Sequence, residues 1–287
     1  ESGVIKKLSK ISSLDFQTYD DPGSLDTSST SPNPDHPESE FAFGKNPKEW
    51  LPIRTPTFGS VTLKLGLGSF NNSINLTGVD NYQASSTFYT RLTLNAELWM
   101  HVNWFLITQI EQGIAPTKNP RTGSAPGELN HAIGKYTFAA AYNSLLRDDF
   151  WGPKLQIRFG ISNYVSTVDD SQPRSFSSVN YSGVLLGVAG ESPITPRKDW
   201  VMGVNFNMIL LPHVSEMPQS SGGSPSNTIN DFSFFLHKKI AENMRITGSL
   251  DFSIYSTTFS GPGLRSEVAT SMSQRSTTLN GGAMYMF

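Results

Sequence analysis

From Phe58 onward the chain is patterned with a period of two: Val61, Leu63, Leu65 and Leu67 alternate with Thr62, Lys64, Gly66 and Gly68, and Leu155, Ile157, Phe159 and Ile161 with Gln156, Arg158, Gly160 and Ser162. Successive side chains of a strand point to opposite faces, so each such segment has one apolar and one polar face. The pattern predicts ten strands, at about 59–70, 86–99, 103–112, 133–143, 154–166, 178–190, 200–211, 230–238, 245–256 and 277–287. Only the sixth leaves its phase open, around Gly183 to Val188.

Two architectures satisfy ten amphipathic strands: a soluble sandwich or barrel, and a barrel whose apolar face meets lipid. Composition does not separate them. A membrane barrel spends only alternate residues on lipid, and 37% hydrophobic residues suit either. No run approaches the roughly 18 apolar residues of a spanning helix, which excludes a helical membrane protein. The links are more telling. Those after odd-numbered strands read as long and rich in Ser, Asn, Gly and Pro, as in Ala115 to His131 and Pro212 to Asn230, while those after even-numbered strands are short, as in His101-Val102-Asn103. Alternating link lengths with an even strand count predict an all-β fold, an up-and-down antiparallel transmembrane β-barrel of about ten strands, with long outer loops at one end. The tryptophans follow the same ordering. Trp50, Trp99, Trp104, Trp151 and Trp200 all fall beside the short links and are expected to form one membrane-interface belt, with Tyr89, Tyr164, Tyr181 and Tyr255 near the opposite level.

The closing strand, Thr277 to Phe287, puts Thr277, Leu279, Gly281, Ala283, Tyr285 and Phe287 on one face. Ending on Phe287 with Tyr285 two before it, the segment resembles the C-terminal strand of bacterial outer-membrane β-barrel proteins. That resemblance implies an outer-membrane location, outer-membrane lipid and the assembly machinery as partners, and Tyr285 and Phe287 as the assembly signal. A chain starting at Glu1 is then expected to be the mature form of an exported protein.

Residues 1–57 differ from the barrel segment, 58–287. They are crowded with Pro, Ser and Asp, as in Ser31-Pro32-Asn33-Pro34-Asp35-His36-Pro37, and read as an extended N-terminal arm in the periplasm. Val4, Ile5, Leu8 and Ile11 recur at helical spacing among Lys6, Lys7 and Lys10, and Phe41 and Phe43 form a second apolar point. These residues are the candidates for binding a periplasmic or surface protein.

With the apolar face outward, Lys64, Arg91, Glu97, Glu111, Lys135, Arg158, Asp231, Arg245 and Asp251 share the lumen. Ten strands enclose little space, so these charges are expected to pair and plug it. A closed barrel that anchors or binds through its arm and loops is the first reading, and a narrow pore or solute-specific channel the second. Ten-stranded outer-membrane barrels also include the omptin proteases, which use an Asp pair facing an Asp-His pair across a water. Here Asp169-Asp170 and His213 follow the fifth and seventh strands, but no Asp precedes His213 at the needed spacing, and Asp35-His36 lies in the arm. The expectation is therefore no enzyme, with rim proteolysis the weakest reading. Asp148-Asp149 and Asp169-Asp170 read as solvated turn residues, and neither a metal nor another cofactor is expected. Without cysteine, thiolate sites and disulfides are excluded. A balance of 22 basic and 24 acidic residues without long blocks asks for no nucleic acid.

Overall fold

The computed structural model describes residues 55–287 apart from 79, 122–126, 148, 169–174, 218–220, 262 and 264–267. The arm residues singled out above, together with Trp50, Asp35-His36 and Asp169-Asp170, lie outside the described residues. The rest forms ten strands: β1 (Gly59–Thr77), β2 (Tyr82–Trp99), β3 (Trp104–Lys118), β4 (Glu128–Leu145), β5 (Lys154–Val168), β6 (Ser178–Pro193), β7 (Trp200–Met217), β8 (Gly223–Ala241), β9 (Met244–Ser260) and β10 (Val268–Met286). Each pairs antiparallel with its sequence neighbours, and β1 pairs with β10, closing the barrel without an edge. Closure runs to the last residue. Phe58 and Gly59 both donate their N–H to the Phe287 carbonyl, at 2.7 and 3.2 Å, and Phe287 returns a bond to Gly59. Both ends of the barrel segment therefore lie at one rim, here the proximal end.

The predicted faces hold through the proximal part. Leu63, Leu65, Leu67, Phe159, Ile161 and Leu279 point outward and are more than half exposed, while Thr62, Thr93, Gln156 and Thr278 are buried inside. Water would not tolerate so continuous an apolar exterior, whereas hydrocarbon requires one. The band covers about ten residues of each strand, about the 25 Å a tilted strand needs to cross a bilayer core. The molecule is a transmembrane β-barrel.

Strand length departs from expectation. The segments read as long loops are largely strand: Ala115–His131 contains only the link 119–127, and Pro212–Asn230 only 218–222. Above the apolar band the strands continue with their faces exchanged. In β1 the outward Leu63, Leu65 and Leu67 give way to inward Phe70, Ile74 and Leu76. In β5 outward Phe159 and Ile161 give way to inward Tyr164, and in β9 outward Ile254 to inward Tyr255 and Phe259. Outside, Ser85, Thr87, Lys118, Asn130 and Arg275 are exposed to what is now water. The exchange of apolar positions looks, in the sequence, like the end of a strand.

Register shifts interrupt β2, β7, β8 and β10, and those of β2 and β7 show how a strand changes its inward set. In β2 the pairing to β1 slips between Gly68 and Phe70, so that Ala84 and Ser86 lie inside below the slip in sequence and Tyr89 and Arg91 above it. In β7 the pairing to β6 slips opposite Ser182 and Val184, and Leu211, in the left-handed region at φ 48°, lies at the slip with its side chain almost wholly exposed. The phase of β6, unsettled in the sequence, is odd residues inward throughout, from Val179 and Tyr181 to Leu185.

Candidate functional site: the barrel lumen

The lumen is built in three layers along its axis. The central layer is ionic. Inward positions of β2, β3, β4, β8 and β9 bring Arg91, Glu111, Lys135, Asp231 and Asp251 together as a chain of ion pairs. Arg91 binds Glu111 at 3.2 Å and also Asp251; Lys135 Nζ lies 2.6 Å from Asp231 and 3.9 Å from Glu111. Neutral groups complete the carboxylates' bonding: Asn280 and Ser233 donate to Asp251, Gln109 to Glu111, and the Tyr255 hydroxyl to Asp231. Buried charges demand such partners, and here every oxygen of the three carboxylates meets a donor.

The distal layer is apolar and aromatic. Tyr164 and Tyr255 stack with centroids 3.8 Å apart, Tyr181 lies 6.0 and 5.7 Å from them, and all three are nearly fully buried. Their hydroxyls bond inside the lumen, Tyr164 to Gln274 at 3.0 Å and Tyr255 to Asp231, while Tyr181 accepts from Thr257 at 2.9 Å. Tyr89 joins them over Gly113, where even a Cβ would stand 2.5 Å from the ring. Phe70, Ile74, Leu129, Phe176, Ile229 and Met272 continue the same core outward. This corrects the placement of the tyrosines: they are at the predicted level but face inward and form no lipid belt. An aromatic at a strand's midpoint fits either face, and only the neighbouring phase exchange distinguishes them.

The proximal layer mixes both kinds. Trp99, Phe105, Phe150 and Met286 pack together across the end of the lumen, with Phe150 and Trp151 supplied by the link 146–153. Trp151 meets Trp99 at 6.2 Å, and the Arg245 guanidinium lies 3.7 Å above its ring. The tryptophans expected to form one belt point in different directions. Trp104 is half exposed on the outside, and Trp200 shares its face with Lys238 5.0 Å from the ring, but Trp99 and Trp151 turn inward because the narrow end must be filled.

Between the proximal and central layers lies a cavity of about 130 Å³. Lys64, Glu97, Lys154, Arg158 and Glu191 line it, with His237 and several neutral polar groups. Of these charges only Lys154 and Glu191 form an ion pair, at 2.8 Å. Lys64 reaches only the Ser249 hydroxyl at 3.4 Å, Arg158 donates to Gln156, and Glu97 accepts from Trp99 Nε1 and Asn95. The expected charge network is therefore split: Arg91, Glu111, Lys135, Asp231 and Asp251 pair, whereas Lys64, Glu97, Arg158 and Arg245 make no ion pair among the described residues. Lys154 and Glu191, absent from the sequence prediction, sit at the two strand ends nearest the proximal rim, where alternation is hardest to phase.

Of the residues weighed for rim proteolysis, only His213 lies among the described residues. His213 projects from the outside of β7 beyond the bulge. Asp149, read in the sequence as a solvated turn residue, is held by Lys198 at the proximal end. Among the described residues no group of three or more His, Cys, Asp or Glu is placed to hold a metal.

No protein-family model matches the sequence. No curated protein matches it either. Solved structures do share the barrel fold. The outer-membrane protease OmpT from Escherichia coli aligns at 12% identity and a TM-score of 0.46, covering 81% of this chain and 98% of that one. The outer-membrane protein OprG from Pseudomonas aeruginosa aligns at 12% and 0.37, over 80% and 97%. The attachment invasion locus protein Ail of Yersinia pestis aligns at 9% and 0.29, over 79% and 99%. These likenesses concern architecture, and the chemistry must come from the lumen itself.

Proposed function

We propose that this barrel resides in a bacterial outer membrane with its proximal end, and the segment 1–57, on the periplasmic side, and that it acts as a structural anchor or interaction protein rather than as a pore. One observation carries the reading: the distal lumen is filled by its own aromatic core, with Tyr164, Tyr181 and Tyr255 in mutual contact across it. An ionic layer and a proximal aromatic layer lie in series with that core. What remains available to partners is the segment 1–57 and a distal rim made of extended strands, which takes the place of the long loops expected from the sequence.

Planar-bilayer recordings test the closure. Silence supports the anchor; steady openings whose ion selectivity changes when Lys135 or Arg158 is neutralised favour the narrow channel. Deleting residues 1–50 tests the partner role, since unchanged associations in the envelope would remove the segment from it. Tyr285 and Phe287, both half exposed on the lipid face, fit an assembly signal read before closure. Phe287→Asp is then expected to lower the amount of barrel reaching the membrane.

A further inference from the structure

The cavity between the ionic and proximal layers is larger than packing requires and more cationic than its own surroundings balance. Its lining carries Lys64, Lys154 and Arg158 against Glu97 and Glu191, three positive charges against two. Lys154 and Glu191 neutralise each other at 2.8 Å, although Glu191 Oε1 accepts no well-directed hydrogen bond. Glu97 already receives the Trp99 indole N–H at 3.1 Å and the Asn95 amide at 3.3 Å. Arg158 is different: a guanidinium offers five donors, and among the described residues only Gln156 accepts from it. Lys64 offers three and finds one hydroxyl at 3.4 Å. Two more donors lie unused. The Thr62 and Thr93 hydroxyls, on adjacent strands beside Lys64, line the same cavity, are about 3% exposed, and have no hydrogen-bond partner among the described residues.

The unspent donors of Arg158, Lys64, Thr62 and Thr93 outnumber the unspent acceptors in the same lining, Asn205 Oδ1, Glu191 Oε1 and His237 Nδ1, and the space is polar where Lys64 and Arg158 enter it and aromatic where Trp99, Phe105 and Phe235 close it. We propose that this cavity is a binding site for a small organic carboxylate. Its anionic end would take the Arg158 and Lys64 donors, and its apolar end would lie against the aromatic wall. A cavity of about 150 Å³ admits benzene; at about 130 Å³ this one limits the ligand's apolar part to a single ring, with its carboxylate in the polar space between Lys64 and Arg158. The site is blind toward the distal end, where the ionic layer and tyrosine core close the lumen, so ligand enters past the link 146–153. Binding here requires no transport and stands apart from the anchor reading: a silent barrel can still hold the ligand.

Trp99 and Trp151 line the cavity and report its occupancy. The test is a fluorescence titration of the full chain, refolded in detergent micelles, with benzoate and with its neutral counterpart benzamide. Saturable quenching by benzoate is expected, with benzamide at least about tenfold weaker. Arg158→Gln is expected to weaken benzoate by about tenfold or more, the loss of one charge-assisted hydrogen bond. Lys64→Met approaches the same site from another strand, so failure of one variant to fold leaves the other to decide. Arg275→Gln, on the outer surface, should titrate like the unaltered chain. The proposal is overturned if benzoate gives no saturable change, if benzamide matches it, or if a folded Arg158→Gln or Lys64→Met barrel binds benzoate as before.

Discussion

The membrane-embedded part of the barrel and its distal extension use the same ten strands under opposite rules. Where lipid surrounds the wall, apolar residues face out and charges face in; where water surrounds it, Ser, Thr, Asn and Arg face out and Phe70, Ile74, Tyr164 and Tyr255 face in. The inside changes character because the outside does. Distal closure is therefore a hydrophobic core like that of a soluble protein, held by dispersed apolar packing. The embedded lumen instead depends on a few charges whose partners must be supplied one by one, and its proximal half leaves some of them without ion partners. The two halves should accordingly respond differently to mutation.

The largest effect is expected in the ionic layer. Lys135→Ala removes the cation lying 2.6 Å from Asp231 and 3.9 Å from Glu111 and strands buried carboxylate charge. That should cost about 3–5 kcal/mol, read from urea unfolding in phospholipid vesicles. Replacing both members of the closer pair, Lys135→Met with Asp231→Leu, should recover most of the loss, because the burial of charge disappears together with its attraction. A double variant as unstable as the single one would show that shape, not charge, governs this layer.

In the distal core Tyr255→Ala should cost about 3 kcal/mol, since it empties one side of the tyrosine stack. Tyr255→Phe keeps the ring and loses only the hydroxyl that donates to Asp231 at 3.3 Å, a bond worth about 1 kcal/mol. Bilayer recordings sharpen the contrast. Tyr164 and Tyr181 still occupy the lumen in Tyr255→Ala, so that barrel should stay silent despite its lower stability.

Arg158→Gln belongs to the other half and should behave otherwise. Arg158 has given up much of its hydration without gaining a carboxylate, so its removal should change stability by less than about 1 kcal/mol. The same substitution is expected to abolish most carboxylate binding. A loss as large as that of Lys135→Ala would mean that Arg158 is structural and would remove the contrast between the two halves.

This contrast also explains what the sequence disclosed. Period two and phase were legible where lipid alone places the apolar residues, as in Leu63, Leu65 and Leu67 or Phe159 and Ile161, but not in β6, where inward Leu185 lies between outward Val184 and Leu186. The strand extensions were illegible because Leu67 followed by Phe70 breaks the alternation just as a turn would. Tyr164 and Tyr255 were placed at the right height and on the wrong face for that reason. The site was half legible. Inward charges could be read one by one, but which of them pair depends on registers between strands distant in the sequence: Arg91 meets Asp251 only because β2 and β9 flank β1 and β10 in the closed barrel. The proximal plug needed Phe150 and Trp151, whose link carries no periodicity.

The smallest effect tests how a strand makes the exchange between the two rules. In β7 the inward set runs Val201, Gly203 and Ile209 up to the bulge, and Val214 packs on the distal core beyond it. Leu211 accommodates the slip at φ 48°, a conformation costing an L-residue roughly 1–2 kcal/mol, and its side chain, about 94% exposed, recovers little by packing. Glycine adopts that φ freely but loses more chain entropy on folding, about 0.5–1 kcal/mol. Leu211→Gly should therefore stabilise the barrel by about 0.5 kcal/mol in the same urea titration. Destabilisation would mean that the exposed leucine holds its place against lipid at the edge of the apolar band, and that the boundary between the two halves lies farther along β7 than the bulge.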